Sequence, residues 1–375
     1  MGESFSDLIR ITSYEELGKL SDLLVLQDGT PVKTEDDWQK KRAELYHSVI
    51  EKQFGQQPPT PEIFEIEPLS FSEKTKVYRI KAGPANRPVS FRMTVFFVPD
   101  ASSSPVVIDG DECWHYPYNR DFFRAFTDRG ISFVLFDRTE IVCDFRDPER
   151  KSPLYRAYPD FEFGAMTAWA WGYSRCVDAV LQLGLTDPGL IGITGHSRGG
   201  KAALLAGALD ERIRVVNPND SGCGGAGCYR IRMEGITEDG ESGRNETLED
   251  ILNQFGYWFS KDLADYYLHA EDLPFDHHEL KARGAPRIRL EGNAASDLWA
   301  NPVGSYITAV AAQSVYGFLG VPKNHYWYYR KGYHFHEVSD VQCLAEVMVS
   351  LQCGKDPQGD FFRIPFTLPS QQRFQ

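Results

Sequence analysis

Leu190-Ile-Gly-Ile-Thr-Gly-His-Ser-Arg-Gly-Gly-Lys-Ala-Ala-Leu-Leu-Ala-Gly-Ala-Leu209 reads as three pieces in immediate succession. Leu190–Thr194 is a short apolar run of strand character, Gly195–Gly199 is a turn, and Lys201–Leu209 is an Ala- and Leu-rich helix. The turn, Gly195-His196-Ser197-Arg198-Gly199, has the pattern G-x-S-x-G. A strand that passes into a helix through so tight a turn forces its central serine into a strained backbone, which leaves room only for small residues two positions to either side. The strain lifts the Ser197 hydroxyl clear of the sheet. The following helix aims its first amide N–H groups and its positive dipole end at the same place. Ser197 is therefore the expected nucleophile, and the Arg198 amide the expected oxyanion donor.

Working outward, short apolar runs alternate with helical patterns. Val106–Asp109, Ile131–Phe136, Arg214–Asn217, Arg287–Glu291 and His325–Arg330 read as strands. Asp121–Arg129, Gly164–Leu183, Leu248–Leu268, Pro302–Gly320 and Val338–Cys353 read as helices between or after them. That alternation predicts an α/β-hydrolase fold, a mainly parallel sheet with helices on both faces in three layers. Ahead of it, Lys76–Ile80 and Ser90–Val98 are strand-like, and Asp36–Phe54 is an amphipathic helix that stops at Gly55. The expected organisation is an N-terminal helical extension over 1–60, packed on a catalytic domain over 61–375.

A serine of this kind needs a histidine in the loop after the last strand. Gly332-Tyr-His-Phe-His-Glu337 offers His334 and His336. The acid member has two candidates. Asp297 follows the Arg287–Glu291 strand in Asn293-Ala-Ala-Ser-Asp-Leu-Trp299, and Asp220 follows the Arg214–Asn217 strand. Either would orient the imidazole and stabilise its charged form.

Lys and Arg number 40 against 53 Asp and Glu, a net charge of −13, which argues against nucleic acid and anionic membranes as partners. No run approaches a membrane span, and Met1–Asp7 has no basic region followed by an apolar stretch, so a cytoplasmic protein without a signal peptide is the expectation. The seven cysteines form no disulfide spacing, and Cys223 and Cys228 lack a second pair for zinc. Asp276-His277-His278 has metal-ligand residue types, but adjacent histidines on a loop seldom face one ion. Neither a metal nor a cofactor is expected. Asn245-Glu-Thr247 is a glycosylation sequon that matters only in a secreted protein.

Gly195-His196-Ser197-Arg198-Gly199-Gly200-Lys201 together with Asp220-Ser-Gly-Cys-Gly-Gly-Ala-Gly-Cys-Tyr-Arg230 resembles the glucuronoyl esterases, which cleave esters between lignin alcohols and glucuronic acid on xylan. Leu273–His278, Ala285-Pro-Arg287, Gly164–Arg175 and Asp28–Val32 with Trp38 and Arg42 extend the resemblance over nearly the whole chain. The resemblance implies Ser197 as nucleophile, Arg198 at the oxyanion, Lys201 on sugar hydroxyls and Trp299 as a wall of the sugar site. It places Asp220 where fungal members carry their acid and Asp297 near the bacterial acid, and it fits His336 as base better than His334. Two departures stand out. The family cysteines beside the nucleophile and the base are His196 and Glu337, so that disulfide is absent, and the sugar-binding glutamate of fungal relatives has Phe255 in its place.

The reading that follows is a serine esterase acting on a small carbohydrate ester, foremost a (4-O-methyl-)glucuronoyl ester, through an acyl-enzyme on Ser197. Its rivals are an acetyl-sugar or general carboxylesterase and, from another class, a catalytically silent carbohydrate-binding relative. Thiol titration of the denatured, unreduced protein is expected to count seven thiols. A count of five or fewer would reveal a disulfide.

Overall fold

The computed structural model describes residues 8–97, 104–359 and 361–368. Met1–Asp7, Val98 and the junction 100–103 lie outside the described residues. The strands are β1 (Ile9–Glu16), β2 (Ile63–Phe71), β3 (Thr75–Gly83), β4 (Val89–Phe96), β5 (Val106–Asp109), β6 (Ser132–Phe136), β7 (Ile191–His196), β8 (Val215–Asn219), β9 (Ile231–Thr237), β10 (Ser242–Arg244), β11 (Ile288–Ala294) and β12 (His325–Arg330). Nine of them form one sheet in the order β12-β11-β8-β7-β5-β6-β4-β3-β2. From β12 to β6 all neighbours are parallel; β4, β3 and β2 continue the sheet antiparallel.

Burial explains which strands read clearly. Every residue of β5, β6 and β7 is buried, as expected where helices cover both faces. Alternate side chains go to opposite layers. Val106, Ile108, Val134, Phe136, Ile191 and Ile193 pack on the side of helices Ala165–Gln182 and Arg198–Leu209. Val107, Phe133, Leu135, Val215 and Leu290 pack on the side of helices Arg120–Thr127 and Val338–Cys353. The three-layer arrangement follows.

The N-terminal part is more than helical. Helix Glu35–Leu45, capped by Thr34 and Asp37, runs on through Phe54, and its Trp38, Leu45, Val49, Ile50 and Phe54 enter the main core. Before it, β1 pairs antiparallel with β9, and β10 completes a three-stranded sheet. Strands β1, β2 and β10 are largely solvent-faced, and β9 alternates buried residues with Arg232 and Glu234, so none of the four shows an apolar run in the sequence. The single helix expected over Leu248–Leu268 is instead Leu248–Phe255 followed by 3₁₀ turns at Gly256–Trp258 and Lys261–Tyr266. The backbone at Trp258 and Phe259 then presses against Gly164, where any Cβ would collide with it. Among the described residues no helix is long and apolar enough to cross a membrane.

The side of the sheet below β11 and β12 holds a buried charge cluster. Lys281 Nζ lies 2.5 Å from Glu291 Oε2 and donates to the Ser305 carbonyl, and Glu291 Oε1 meets His325 Nε2 at 2.9 Å. Burial opposes ionisation of Glu291, but Lys281 and His325 outweigh it and hold the carboxyl at about 2. Burial pushes His325 down to about 4 against the pull of Glu291. Between pH 6.5 and 4 the unfolded chain therefore binds a proton at this histidine that the native chain does not, and stability falls with acid. The melting temperature of the wild type is expected to drop relative to that of His325→Gln as pH falls from 6.5 toward 4. A difference that stays constant across that window contradicts a neutral native His325.

Candidate active site

Ser197 sits between β7 and helix Arg198–Leu209 with φ 55° and ψ −120°, a conformation rare for any residue with a side chain. Its N–H donates to the Asn219 carbonyl at 2.9 Å, which ties the turn to the end of β8. Two glycines make the turn possible. A Cβ on Gly195 would stand 2.5 Å from the Gly199 backbone. One on Gly199 would overlap the Asp111 carboxylate, which lies directly beneath the turn. Asp111 accepts from the His196 N–H at 2.7 Å and the Tyr116 hydroxyl at 2.6 Å, and pairs with Arg138. The first-turn amides after Ser197 have no intrahelical acceptor and remain available to an anion.

The loops after β11 and β12 bring an acid and a base to this end of the sheet. His334 Nδ1 meets Asp297 Oδ2 at 2.5 Å. Asp297 is buried, whereas the His334 side chain is 42% exposed, so the ring is anchored on one edge and open on the other. Its ring packs 4.7 Å from the ring of His196, the residue before Ser197. His196 is itself fixed by a 2.7 Å contact between Nδ1 and Asn219 Oδ1, and burial pushes it down to about 3, so it stays neutral.

This corrects the preference for His336. That ring is buried against Tyr116, Phe122 and His196, and among the described residues neither of its nitrogens has a hydrogen-bond partner. Burial holds it far below the usual imidazole range. The histidine that a resemblance in sequence selects is packed among rings, while the other histidine of the same loop meets Asp297. The two candidate acids have different partners. Asp220 is fully buried with φ 41°, and its oxygens take the Ala294 N–H at 2.6 Å and Arg330 Nη2 at 3.3 Å rather than an imidazole. Burial, then the charges of Asp297 and Asp340, push its carboxyl up, while Arg330 pulls it back.

Around the turn, Arg198 Nη1 is held 2.8 Å from Asp144 Oδ2, while the other Asp144 oxygen accepts from Tyr257 and Trp258. The guanidinium lies over Phe255 and Trp258 at 5.0 and 4.8 Å, and among the described residues its buried Nε–H has no acceptor. Lys201 is buried, not an exposed helix lysine. Its Nζ donates to the Ser221 carbonyl at 2.6 Å and lies 5.9 Å from the Trp258 ring; burial lowers its pKa. Trp299 is 40% exposed, with the Arg244 guanidinium 5.3 Å from its ring.

Sequence reasoning missed Glu246. It is 6% exposed, and burial raises its carboxyl against the opposing charges of Lys201, His334 and Arg198, the groups that surround the turn. No local sequence signal marks it; it stands between β10 and the Thr247 cap of the next helix. Asn245, one residue before, is buried, and its side chain is bonded to Met233 and Ile231. Asp276, His277 and His278 are structural. Asp276 accepts from Tyr229 and Arg230, His277 faces Gly227 and Gln53, and His278 faces Ser21. All seven cysteines are free.

A nucleophilic elbow flanked by an anchored imidazole on this sheet defines a serine hydrolase of the α/β-hydrolase fold. The family profile described as fungal glucuronyl esterase matches residues 80–320. A 4-O-methyl-glucuronoyl methylesterase of Schizophyllum commune is 28% identical over 310 residues, 82% of this chain and 75% of that protein. One of Hypocrea jecorina is 31% identical over 326 residues, 85% of this chain and 66% of that protein. A solved carbohydrate esterase family 15 glucuronoyl esterase from Caldicellulosiruptor kristjansonii is 30% identical, with a TM-score of 0.82 over 94% of this chain and 95% of that one. The chain belongs to the glucuronoyl esterase family and is a carboxylic ester hydrolase.

Asp297→Asn is expected to lower kcat by about 10²- to 10⁴-fold, since it removes the acceptor that sets the His334 tautomer. Asp220→Asn is expected to cost distinctly less. Steady-state kinetics of the two variants check this, and a loss in Asp220→Asn equal to or above that in Asp297→Asn contradicts it.

Proposed function

We propose that the chain hydrolyses esters of a (4-O-methyl-)glucuronic acid through an acyl-enzyme on Ser197. In this reading His334 takes the Ser197 proton as the hydroxyl attacks the ester carbonyl. Asp297 holds the Nδ1–H tautomer, leaving Nε2 as the base, and stabilises the imidazolium that forms. The oxyanion is met by first-turn N–H groups and by the buried, unpartnered Arg198 Nε–H. His334 then returns its proton to the departing alcohol. Water, deprotonated by the same imidazole, attacks the acyl carbon; the bond to Ser197 Oγ breaks, the imidazolium returns its proton to that oxygen, and the acid leaves.

The observation that carries the substrate class is Lys201. A buried ammonium is costly unless it has work to do, and among the described residues this one has a single hydrogen-bond acceptor, Ser221, for its three N–H groups. It stands one helical turn after Ser197, beside Glu246. A cation and a carboxyl together, next to the nucleophile and near two tryptophans, suit vicinal sugar hydroxyls on the acyl side of the ester. Arg244 covers one side of the Trp299 ring, which supports a sugar lying on the other. An acetyl ester has no acyl-side sugar and gains nothing from these groups.

Lys201→Met keeps the buried stem and removes the charge. It is expected to lower kcat/KM for methyl glucuronate by roughly tenfold or more, as for loss of a charged hydrogen bond, and to leave aryl acetate hydrolysis nearly unchanged. Equal losses on both, or no loss on the uronate, favour an acetyl or general carboxylesterase.

A further inference from the structure

The base does not reach Ser197 by sheet geometry. In the order β12-β11-β8-β7, the strand before His334 lies three spacings from the strand before Ser197, about 14 Å away. The loop 331–337 must therefore fold back across the sheet edge and keep that shape while a proton moves. It contains Gly332 at φ 102° and no regular element. A loop of this kind holds a catalytic geometry only if its backbone carbonyls are tied down.

One side chain does this. Arg330, the last residue of β12, is 7% exposed. Its Nη1 donates to the carbonyls of Lys331 at 3.2 Å and Tyr333 at 3.4 Å, and its Nη2 to that of Phe335. Two of these flank His334 directly. The guanidinium is in turn oriented by two buried carboxyl groups. Its Nε lies 2.9 and 3.0 Å from the Asp340 oxygens, and its Nη2 lies 3.3 Å from Asp220 Oδ2. The other oxygen of Asp220 accepts from the N–H of Ala294, three residues before Asp297. Asp220 thus touches both the loop that carries the acid and the residue that shapes the loop that carries the base.

We propose that Arg330 is a positioning residue that shapes the loop of the catalytic base, and that Asp220 serves the reaction through Arg330 and Ala294 rather than as the acid of the imidazole. The inference rests on His334 acting as the base. Only a planar fork with five donors can serve three carbonyls and two carboxyl groups at once, so lysine is no substitute. In Asp220→Asn the new amide must turn an N–H toward either Arg330 or the Ala294 N–H, which breaks one side of the brace at unchanged volume.

The test is a cycle of Arg330→Lys, Asp220→Asn and the double variant, assayed on methyl glucuronate. Each kcat is normalised to serine sites titrated with a phosphonate ester, so misfolded protein is not counted. Arg330→Lys is expected to lower kcat roughly tenfold or more with KM within about twofold, the signature of a displaced catalytic group rather than a lost binding contact. The double variant is expected to fall within about twofold of Arg330→Lys alone, because without the Arg330 fork the new amide can turn its N–H to the vacated side and keep its oxygen on the Ala294 N–H. Wild-type kcat in Arg330→Lys overturns the proposal. So does a full, additive loss from Asp220→Asn in the Arg330→Lys background, which would make Asp220 act independently. Should Arg330→Lys yield no titratable sites, the cycle of Asp220→Asn with Asp340→Asn carries the same non-additivity criterion. His334→Ala is the control on the underlying reading. If it keeps activity, the base assignment has failed; if it is inactive while Arg330→Lys is normal, only the clamp has failed.

Discussion

The left-handed backbone at Ser197 is the constraint to which the site is built. Holding a serine there costs on the order of 1–3 kcal/mol, and the surroundings must over-determine it. They do so from below and from the side. Asp111 fills the space under Gly199, holds the His196 N–H and is matched by Tyr116 and Arg138. Burial and the Asp111 charge push the neighbouring Asp109 carboxyl far up, so the pair avoids placing two negative charges together. Asn219 ties Ser197 through its backbone and His196 through its side chain. The exposed hydroxyl is the product of this buried polar bracing, and the small residues of the turn are its steric condition.

The base loop is held by contacts of another kind. Where the resemblance to fungal members implies a disulfide between the elbow and the base loop, this chain has a column of rings. His336 rests on Phe122 and Tyr116, His196 stacks on His336 at 5.3 Å, and His334 packs on His196 at 4.7 Å. The two lower imidazoles are neutral because burial forbids their charge. The uppermost has Asp297 at one edge and is partly open to solvent, as the proposed base requires. Arg330 fixes the loop backbone while the rings fix its side chains.

Much of this was legible in the residues. The parallel strands are uniformly apolar and the turn at Ser197 has a motif with a mechanical cause, so fold and nucleophile could be read together. The loops that hold the base and acid could be placed, since they follow the last strands in chain order. The choice between His334 and His336 could not, because both lie in one short loop and differ only in which side their rings face. Asp220 against Asp297 failed for the same reason: each follows a strand end, and only the third dimension shows that Arg330 and Ala294 take up the first. Glu246 was invisible because its partners, Lys201 and His334, are remote in sequence. The solvent-faced strands β2 and β10 carry no apolar run, and in β9 charged residues alternate with the buried ones and break its pattern.

In the proposed reaction the strained hydroxyl of Ser197 attacks a uronate ester. Hydrolysis of benzyl glucuronate by Ser197→Ala, compared with wild type at equal folded concentration, tests it most directly. The account predicts that wild type turns the ester over and that the variant, with an unchanged melting transition, loses several orders of magnitude in kcat/KM. Near wild-type turnover by the variant would contradict it.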